Sequence, residues 1–233
     1  THSVMITNSG GPFTLTATRT SGGAQVGTSN AFPVATGPAS GAFTTISATS
    51  SVTAGTPSTI TVQARDAQNN ALTGSGGVVT LSTTLGSISG VTNNGDGSYT
   101  ATLNTTANGT ATITGTIGGA PITDNATVTV NVGGASGATT VVTSNLASIA
   151  AGGATAAITV QARDAQGNNL AGSGGLVLLN TTLGSLSAVT DNGNGTYTAT
   201  LTSPAGTGTA TITGTIGGNA ITDNAVVEVI AGA

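Results

Sequence analysis

The chain has 233 residues and a net charge of −4, and only 4% of its residues are charged and 2% aromatic. It contains no lysine, no cysteine and one histidine, which excludes disulfides and lysine-based covalent chemistry and leaves few groups for acid–base catalysis or metal ligation. Without a cationic surface the chain cannot neutralise nucleic-acid phosphates, and no stretch of about 20 apolar residues is present for insertion into a membrane.

Residues 1–36 have the pattern of closing strands that lack the strands before them. Phe13 stands in a context similar to that of Tyr99, and Thr28–Val34 resembles Thr123–Val130. We therefore predict that this fragment holds the C-terminal strands of a preceding, incomplete domain. Because isolated strands expose an apolar face and open edges, something must complete the fragment. The alternatives are an upstream segment of the same protein and strand complementation by another chain.

Two complete domains are predicted to follow, at residues 43–132 and 139–233. The segments that precede them, 37–42 and 133–138, consist of small residues and turn formers and are predicted to be linkers.

The two domains are near-copies of each other. Ile60–Gly77 reads ITVQARDAQNNALTGSGG and Ile158–Gly175 reads ITVQARDAQGNNLAGSGG, an offset of 98 residues (158 minus 60). In the same way, Asn93–Leu103 reads NNGDGSYTATL and Asp191–Leu201 reads DNGNGTYTATL. A unit of this length can bury its own core, and intact copying of a domain indicates a role in length, spacing or multivalency rather than in catalysis.

Within each copy, apolar residues alternate with threonines and other polar residues, which is the pattern of half-buried β-strands. The residues predicted to point inward in the first copy are Ile60, Val62, Ala64, Tyr99, Ala101, Leu103, Ala111, Ile113, Ile117, Val128, Val130 and Val132. Clusters of Gly, Asn and Asp separate the runs, and no helical apolar stripe occurs. We predict an all-β fold of tandem sandwich domains with seven or so strands each.

The five aromatic residues are Phe13, Phe32, Phe43, Tyr99 and Tyr197. All lie in strand patterns that predict burial, so no exposed aromatic platform for sugars is expected. Tyr99 and Tyr197 each stand two residues before an inward alanine, as in the tyrosine corner of sandwich domains, where the hydroxyl binds nearby backbone. We predict a structural role for both.

Arg65 and Arg163 stand at equivalent strand ends in a chain with only three arginines. One interpretation is a ligand contact. The other, which we favour, is structural: the stem lies on apolar surface and the guanidinium donates to carbonyls or to a loop acid. His2 is predicted to be solvent-exposed near the chain end, without a partner for chemistry.

The weak candidates for a metal site are the carboxylates of Asp96, Asp191, Asp66 and Asp164. Carboxylates and amides at this spacing can bind calcium, but no bidentate glutamate follows and the acid changes position between the copies. Asx-turn chemistry explains the same residues. An ion between domains could also involve Asp124 or Asp223. We predict no cofactor, with calcium as the alternative.

Several motifs occur in the same order in both copies: ITVQARDAQ, TTLGS at Thr83–Ser87 and Thr181–Ser185, NGDGSYTATL or NGNGTYTATL, and GTATITGTIGG. Over nearly the whole chain this combination resembles the bacterial immunoglobulin-like repeats of the invasin and intimin group of surface proteins. The resemblance implies immunoglobulin-like sandwiches exported to the cell surface, where such repeats form stalks that hold an adhesive tip. Nothing here resembles that lectin-like, often disulfide-bonded tip, so receptor binding is not implied for this segment.

The predicted function is structural, without enzymatic activity: a stalk or fibre segment of an extracellular bacterial surface protein that gives an adhesin reach and stiffness. Copies of itself or neighbouring repeats are the predicted partners, because low charge weakens repulsion between hydroxyl-rich faces. A host or cell-surface target would be reached through a tip outside this segment. The alternative is a binding module whose sandwich-end loops contact a host receptor, a glycan or a calcium ion, although faithful repetition of the loops favours a spacer.

Overall fold

The structure, a computed structural model, describes residues 4–19, 21–23 and 25–232, and every regular element in these residues is a β-strand. The predicted all-β class is therefore confirmed. In the same ranges there is no helix that could span a membrane. The chain divides into two compact units, the first formed mainly by residues up to Thr129 and the second mainly by residues from Val130 onward.

Four short strands precede the first sandwich: β1 (Gly10–Phe13), β2 (Thr16–Thr18), β3 (Val26–Thr28) and β4 (Phe32–Val34). β1 pairs with β4 and β2 pairs with β3, both antiparallel, so the four strands form one interrupted hairpin. Most of their side chains are exposed. None of the described residues of this hairpin is fully buried, so it forms no layered core among them.

The first sandwich contains β5 (Thr45–Ala48), β6 (Ser51–Thr53), β7 (Ser58–Gln63), β8 (Val79–Thr83), β9 (Ser87–Ile88), β10 (Thr92–Asn93), β11 (Ser98–Asn104), β12 (Gly109–Ile117), β13 (Ala120–Pro121) and β14 (Ala126–Asn131). One sheet has the order β10–β11–β7–β5, and β9 also pairs with β11. The other sheet has the order β13–β12–β14–β6, and β8 also pairs with β12.

The second sandwich contains β15 (Val141–Ser144), β16 (Ser148–Ala150), β17 (Thr155–Gln161), β18 (Val177–Thr181), β19 (Ser185–Leu186), β20 (Thr190–Asp191), β21 (Thr196–Thr202), β22 (Gly208–Ile216), β23 (Asn219–Ala220) and β24 (Ala225–Ile230). Its sheets repeat those of the first, with the orders β15–β17–β21–β19 and β16–β24–β22–β18. β20 also pairs with β21, and β23 also pairs with β22.

Aliphatic side chains from both sheets of each sandwich form its core. Ile60 and Val62 on β7 are completely buried, as are their counterparts Ile158 and Val160 on β17. Threonines occupy the alternate positions and face outward, because successive side chains of a strand point to opposite faces. Burial of each large aliphatic side chain stabilises the fold by about 1.5–3 kcal/mol, so a chain without disulfides can rely on this packing.

Three details differ from the sequence prediction. Each sandwich has ten short strands rather than seven, because edge segments such as β9 and β10 pair separately with the two halves of β11. Val132, predicted to point inward, lies beyond the end of β14 and is only half-buried. Phe43, predicted to be buried, lies in the turn before β5 and is 42% exposed. Thr44 takes the inward position instead, and its hydroxyl accepts a hydrogen bond from the Arg65 amide.

The pairing in the N-terminal hairpin matches the closing hairpin of each sandwich. β22 pairs first with β24 and, near its end, with β23, just as β1 pairs with β4 and β2 with β3. Phe13 therefore lies in a strand equivalent to β12 or β22. Tyr99 lies in β11, so the proposed equivalence of Phe13 and Tyr99 is wrong, because these two aromatics belong to strands with different partners.

Candidate functional site

Asp66 lies just after β7 at the start of a tight loop, and its side chain is only 2% exposed. Its Oδ1 atom accepts hydrogen bonds from the backbone amides of Gln68 at 3.0 Å and Asn70 at 2.9 Å. Its Oδ2 atom accepts one from the amide of Gly37, in the preceding linker, at 3.1 Å. The carboxylate thus closes its own loop and fixes the chain segment that enters the sandwich.

Asp164 repeats this arrangement with full burial. Its Oδ1 atom accepts from the amides of Gln166 at 3.0 Å and Asn168 at 2.9 Å, and its Oδ2 atom accepts from the amide of Gly133 at 3.0 Å. The side-chain amide of Asn168 donates to both carboxylate oxygens, at 3.1 and 2.9 Å. Because four N–H groups converge on one carboxylate, both of its oxygens are already occupied by hydrogen bonds within the protein.

These contacts keep both carboxylates ionised. The side-chain hydrogen bond from Asn70 is the largest cause that lowers the pKa of Asp66. Burial raises the pKa of Asp164, but the hydrogen bonds from Asn168, Gly133 and the loop amides outweigh burial and hold it below the ordinary value. Such a carboxylate serves as an acceptor for N–H donors. Among the described residues no three His, Cys, Asp or Glu side chains come together as metal ligands would.

The turn acid Asp96 has an amide counterpart in the second copy. Asp96 Oδ1 accepts hydrogen bonds from the Ser98 amide at 2.9 Å and the Ser98 hydroxyl at 2.6 Å. Asn194 Oδ1 makes the same two contacts with Thr196, at 3.1 and 2.6 Å. The Ser98 hydroxyl is the main cause that holds the pKa of Asp96 below its ordinary value. Because an amide oxygen performs the same task, the position requires a turn acceptor and not a charge.

The other turn acid, Asp191, shows the reverse exchange. Its Oδ1 atom accepts from the Gly193 amide at 2.8 Å, and its Oδ2 atom accepts from the Ser173 hydroxyl at 2.6 Å, which is the main cause that lowers its pKa. In the first copy Asn93 accepts from the amide two residues later at 3.0 Å and donates to the Ser75 hydroxyl at 2.8 Å. The turn has the same geometry in both copies, although the acidic residue is Asp96 in the first copy and Asp191, the equivalent of Asn93, in the second.

Asp124 and Asp223 lie on the loop before the last strand of each sandwich. The Ile46 amide donates to Asp124 at 2.8 Å, and the Val142 amide donates to Asp223 at 2.9 Å. These contacts tie the first strand of each sandwich to its closing hairpin. From the sequence both residues were considered only as ion ligands. The motif ITDNA, which occurs around each of them, was a signal for a shared structural contact.

Tyr99 and Tyr197 are 2% and 1% exposed, with their rings in the cores. The Tyr99 hydroxyl accepts from the Gly76 amide at 2.8 Å and donates to the Gly77 carbonyl at 2.8 Å. The Tyr197 hydroxyl makes the matching contacts at 2.7 and 2.8 Å. Each hydroxyl therefore anchors the GSGG loop, which lies more than 20 residues earlier in the chain.

The two repeated arginines contact their own loops. Arg65 Nη1 donates to the carbonyl of Asn69 at 3.0 Å, and Arg163 Nε donates to Oδ1 of Asn169 at 2.9 Å. These contacts lie at the sandwich end where the Asp66 and Asp164 loops turn. His2 lies outside the described residues.

A cleft that the sequence did not indicate recurs beside each tyrosine. In the first sandwich it has a volume of about 400 Å³ and is lined by Ser75, Gly77, Val78, Val79, Val91, Asn93 and Tyr99. In the second it has a volume of about 290 Å³ and the equivalent lining. Val78 and Leu176, at the two rims, are 75% and 70% exposed. The repeated GSGGVV and GSGGLV segments, with an apolar residue after two glycines, were the available signal.

Comparison with known proteins agrees with the two-sandwich architecture. The family model described as invasin, domain 3, matches residues 37–133 and 136–232. No curated protein sequence matches the chain.

Among solved structures, the Escherichia coli adhesin FdeC is 29% identical with a TM-score of 0.53, and the match covers 85% of this chain and 66% of that one. Invasin, described as a bacterial integrin-binding protein, is 24% identical with a TM-score of 0.55, and the match covers 94% of this chain and 45% of that one. The chain thus spans less than two thirds of each relative. The resemblance inferred from the repeated motifs is confirmed, and the chain belongs to the invasin domain 3 family.

Proposed function

We propose that this chain is a structural spacer, a stalk or fibre segment, of an extracellular bacterial surface protein, and that it carries no catalytic site. The observation that supports this most is the internal use of its polar groups. All six aspartates accept backbone N–H groups, and both tyrosine hydroxyls bind loop backbone. Reactive or binding loops would leave such groups directed toward a ligand.

The family membership supports a surface location and an adhesin context. FdeC is described as an adhesin and invasin as an integrin-binding protein, and this chain spans only part of each. We assign any host contact to a part of the full protein outside these two sandwiches. The sandwiches then provide distance between that part and the cell, and their repetition sets this distance.

Self-association is the second part of the proposal. With a net charge of −4 over 233 residues, electrostatic repulsion between copies is weak, and the outer sheet faces are rich in threonine. Hydroxyl-bearing faces of this kind can approach closely and exchange hydrogen bonds. Neighbouring stalks would then associate side by side, which stiffens a surface layer or a fibre.

A repeat deletion tests the spacer role. Removal of residues 136–232 from the full-length surface protein should keep host-cell binding when the cells are free to touch and reduce the measured distance of the tip from the cell surface. The purified chain itself should not bind host cells. Specific binding of the purified chain, or loss of all adhesion on deletion of one repeat without loss of surface display, would contradict the proposal.

A binding module is the second candidate, and the repeated cleft favours it. Val78 and Leu176 expose large aliphatic side chains at the rim of equivalent clefts in both copies. Exposed apolar residues at a concave site are typical of ligand contacts. The paired substitutions Val78→Asp and Leu176→Asp would abolish host-cell binding by the purified chain if the clefts serve that purpose, and they would leave a spacer unaffected.

A further inference from the structure

One outer sheet face of the second sandwich carries aliphatic side chains that its counterpart lacks. Among the described strands of the two sandwiches, the large aliphatic residues that are about half exposed are Leu178 on β18 and Val226 and Ile230 on β24, at 55%, 49% and 52%. All three belong to the sheet β16–β24–β22–β18. They point outward, since the residues beside them in the same strands are buried or half-buried.

The first copy has polar residues at these positions. Thr80 stands in place of Leu178, Thr127 in place of Val226, and Asn131 in place of Ile230. The strands keep the same alternation of exposed and buried side chains, and β12 and β22, which lie between them, have the identical sequence GTATITGTI. The fold therefore does not require aliphatic residues there, so these three side chains are available for a contact outside the sandwich.

Glu228 indicates which kind of surface can pack against this face. It lies between Val226 and Ile230 on the same outer face, and its carboxylate accepts hydrogen bonds from the Thr209 hydroxyl at 2.9 and 3.1 Å. Two such faces placed against each other would bring two Glu228 carboxylates together, which is unfavourable. A face with hydroxyl donors, methyl groups and no acid would be complementary.

The equivalent face of the first sandwich has this chemistry. Its outward residues on β8, β12 and β14 are Thr80, Ser82, Thr110, Thr112, Thr114, Thr116, Thr127, Thr129 and Asn131, with no charged residue among them. Threonine methyl groups can pack on aliphatic side chains while the hydroxyls donate to a carboxylate. Both partners of the contact are thus present on one chain, on different sandwiches.

We propose that the aliphatic face of the second sandwich, formed by β16, β24, β22 and β18, packs on the threonine face of the first sandwich, formed by β8, β12 and β14, of a second copy of this chain. This inference rests on the self-association proposed above and names its surfaces. Because the two surfaces differ, each copy can bind one neighbour through each of them, so the contact either repeats along an open chain of molecules or occurs twice in a closed antiparallel pair.

The size of the face sets the expected strength. Four strands about 4.8 Å apart and roughly six residues long cover about 19 by 20 Å, or about 400 Å² per partner. Stable protein interfaces bury about 800 Å² per partner, so a single contact of this kind is weak. Association should appear only at high concentration in solution and should strengthen where many copies are held close together on a surface.

The repeat itself supplies the test variant. Leu178→Thr, Val226→Thr and Ile230→Asn together give the second sandwich the residues of the first, which already fold in that setting. The matched control is Ala157→Thr, which introduces the residue found at the equivalent Thr59 on the outer face of the other sheet. Sedimentation equilibrium of the whole chain over a wide concentration range should give at least a ten-fold lower association constant for the triple variant and less than a two-fold change for the control.

A charge variant tests the partner face. Thr127→Glu places an acid on the threonine face, which would then repel Glu228 of the neighbour, and should weaken association at least ten-fold, whereas Thr59→Glu on the other sheet adds the same charge and should not. If the wild-type chain is monomeric at every concentration, both the proposed self-association and this contact are wrong. If the wild type associates and the two face variants associate equally well, only the assignment of the surfaces is overturned.

Discussion

The two sandwiches have similar interiors and differ more on the outer face of one sheet. β12 and β22 are identical over nine residues. The neighbouring closing strands read ATVTVN in β14 and AVVEVI in β24. Valines occupy the inward positions of both, and the changes fall on outward positions. Packing constrains the inward residues of a strand closely, whereas the outward residues can change without cost to the fold. The outer faces are therefore the place where two copies of one domain can acquire different roles.

One of the interior differences provides a built-in control. Ser58 at the start of β7 is 1% exposed, and its hydroxyl has no hydrogen-bond partner. Ala156 stands at the equivalent position in β17 and is 2% exposed. The first sandwich therefore buries a polar atom that the second avoids, although the surrounding strands are almost the same.

The largest expected effect on stability comes from a substitution at Gly195, in one of the two equivalent turns. Gly195 has a φ of +82°, and a Cβ atom there would meet the carbonyl oxygen of Leu170. We expect Gly195→Ala to destabilise the second sandwich by about 3 kcal/mol or more, because overpacking against backbone adds to a strained φ. Gly193→Ala is the control, since its φ is +74° but nothing lies within 4 Å of the added Cβ. Thermal unfolding of the full chain should show a much smaller shift for the control, and equal shifts would contradict the steric account.

The next effect concerns the tyrosine hydroxyls. Tyr197→Phe removes two hydrogen bonds, from the half-buried Gly174 amide and to the Gly175 carbonyl, and it should cost about 1–3 kcal/mol. Tyr99→Phe should cost a similar amount in the first sandwich, because the contacts are the same. Urea denaturation of the two single variants measures this. If only one variant is destabilised, the equivalent hydrogen bonds do not contribute equally to the free energy of unfolding of the two sandwiches.

Acid should destabilise both sandwiches. The pKa values of Asp66, Asp96, Asp164 and Asp191 are lowered in the folded chain. Carboxyl groups with lowered folded-state pKa values contribute stability that is present above the unfolded pKa, ordinarily 3.8, and that is lost as the pH falls through the lower folded values. The urea midpoint should therefore be nearly constant from pH 7 to about 5 and decrease below about 4.

Asp96→Asn sharpens this test, because the second copy already uses an amide at the equivalent Asn194. The variant should fold as well as the wild type at neutral pH and lose less stability in acid. If instead the urea midpoint of the wild type rises as the pH falls below 4, the hydrogen bonds to these carboxylates do not stabilise the fold.

The smallest effect is an expected gain. Ser58→Ala should stabilise the first sandwich by about 1 kcal/mol, because it removes a buried hydroxyl without a partner. The reciprocal change, Ala156→Ser, should destabilise the second sandwich by about the same amount or slightly more. Calorimetric unfolding of both variants gives the comparison. A loss of stability in Ser58→Ala would indicate that the hydroxyl is satisfied in solution.

Local patterns in the sequence were sufficient for the fold class and the family. The alternation around Ile60 and Val62 predicted burial that the structure confirms, because a strand that faces a core obeys a period of two. The same reasoning failed at Phe43, where the strand had not yet begun and Thr44 took the inward position. Alternation describes residues within a strand and carries no information about where a strand starts.

Contacts between residues far apart in the sequence could not be predicted from the same patterns. The Gly37 amide reaches Asp66 across 29 positions, and the Ile46 amide reaches Asp124 across 78. From sequence alone these acids were also weak candidates for calcium ligands, because the residue types of an Asx loop and of an ion site overlap. Which donors surround a carboxylate depends on the register of distant strands, and the cleft beside each tyrosine depends on it too.

The pairing of β16 with β24 has a mechanical consequence. These strands run parallel, with Ser148 opposite Glu228 and Ala150 opposite Ile230, and they lie near the start and at the end of the second sandwich. Tension along the chain would pull the two strands in opposite directions along their length, so that their hydrogen bonds share the load and must yield together. The proposed stalk role would benefit from this arrangement, and single-molecule pulling should show a high rupture force that falls sharply when proline replaces Ile149.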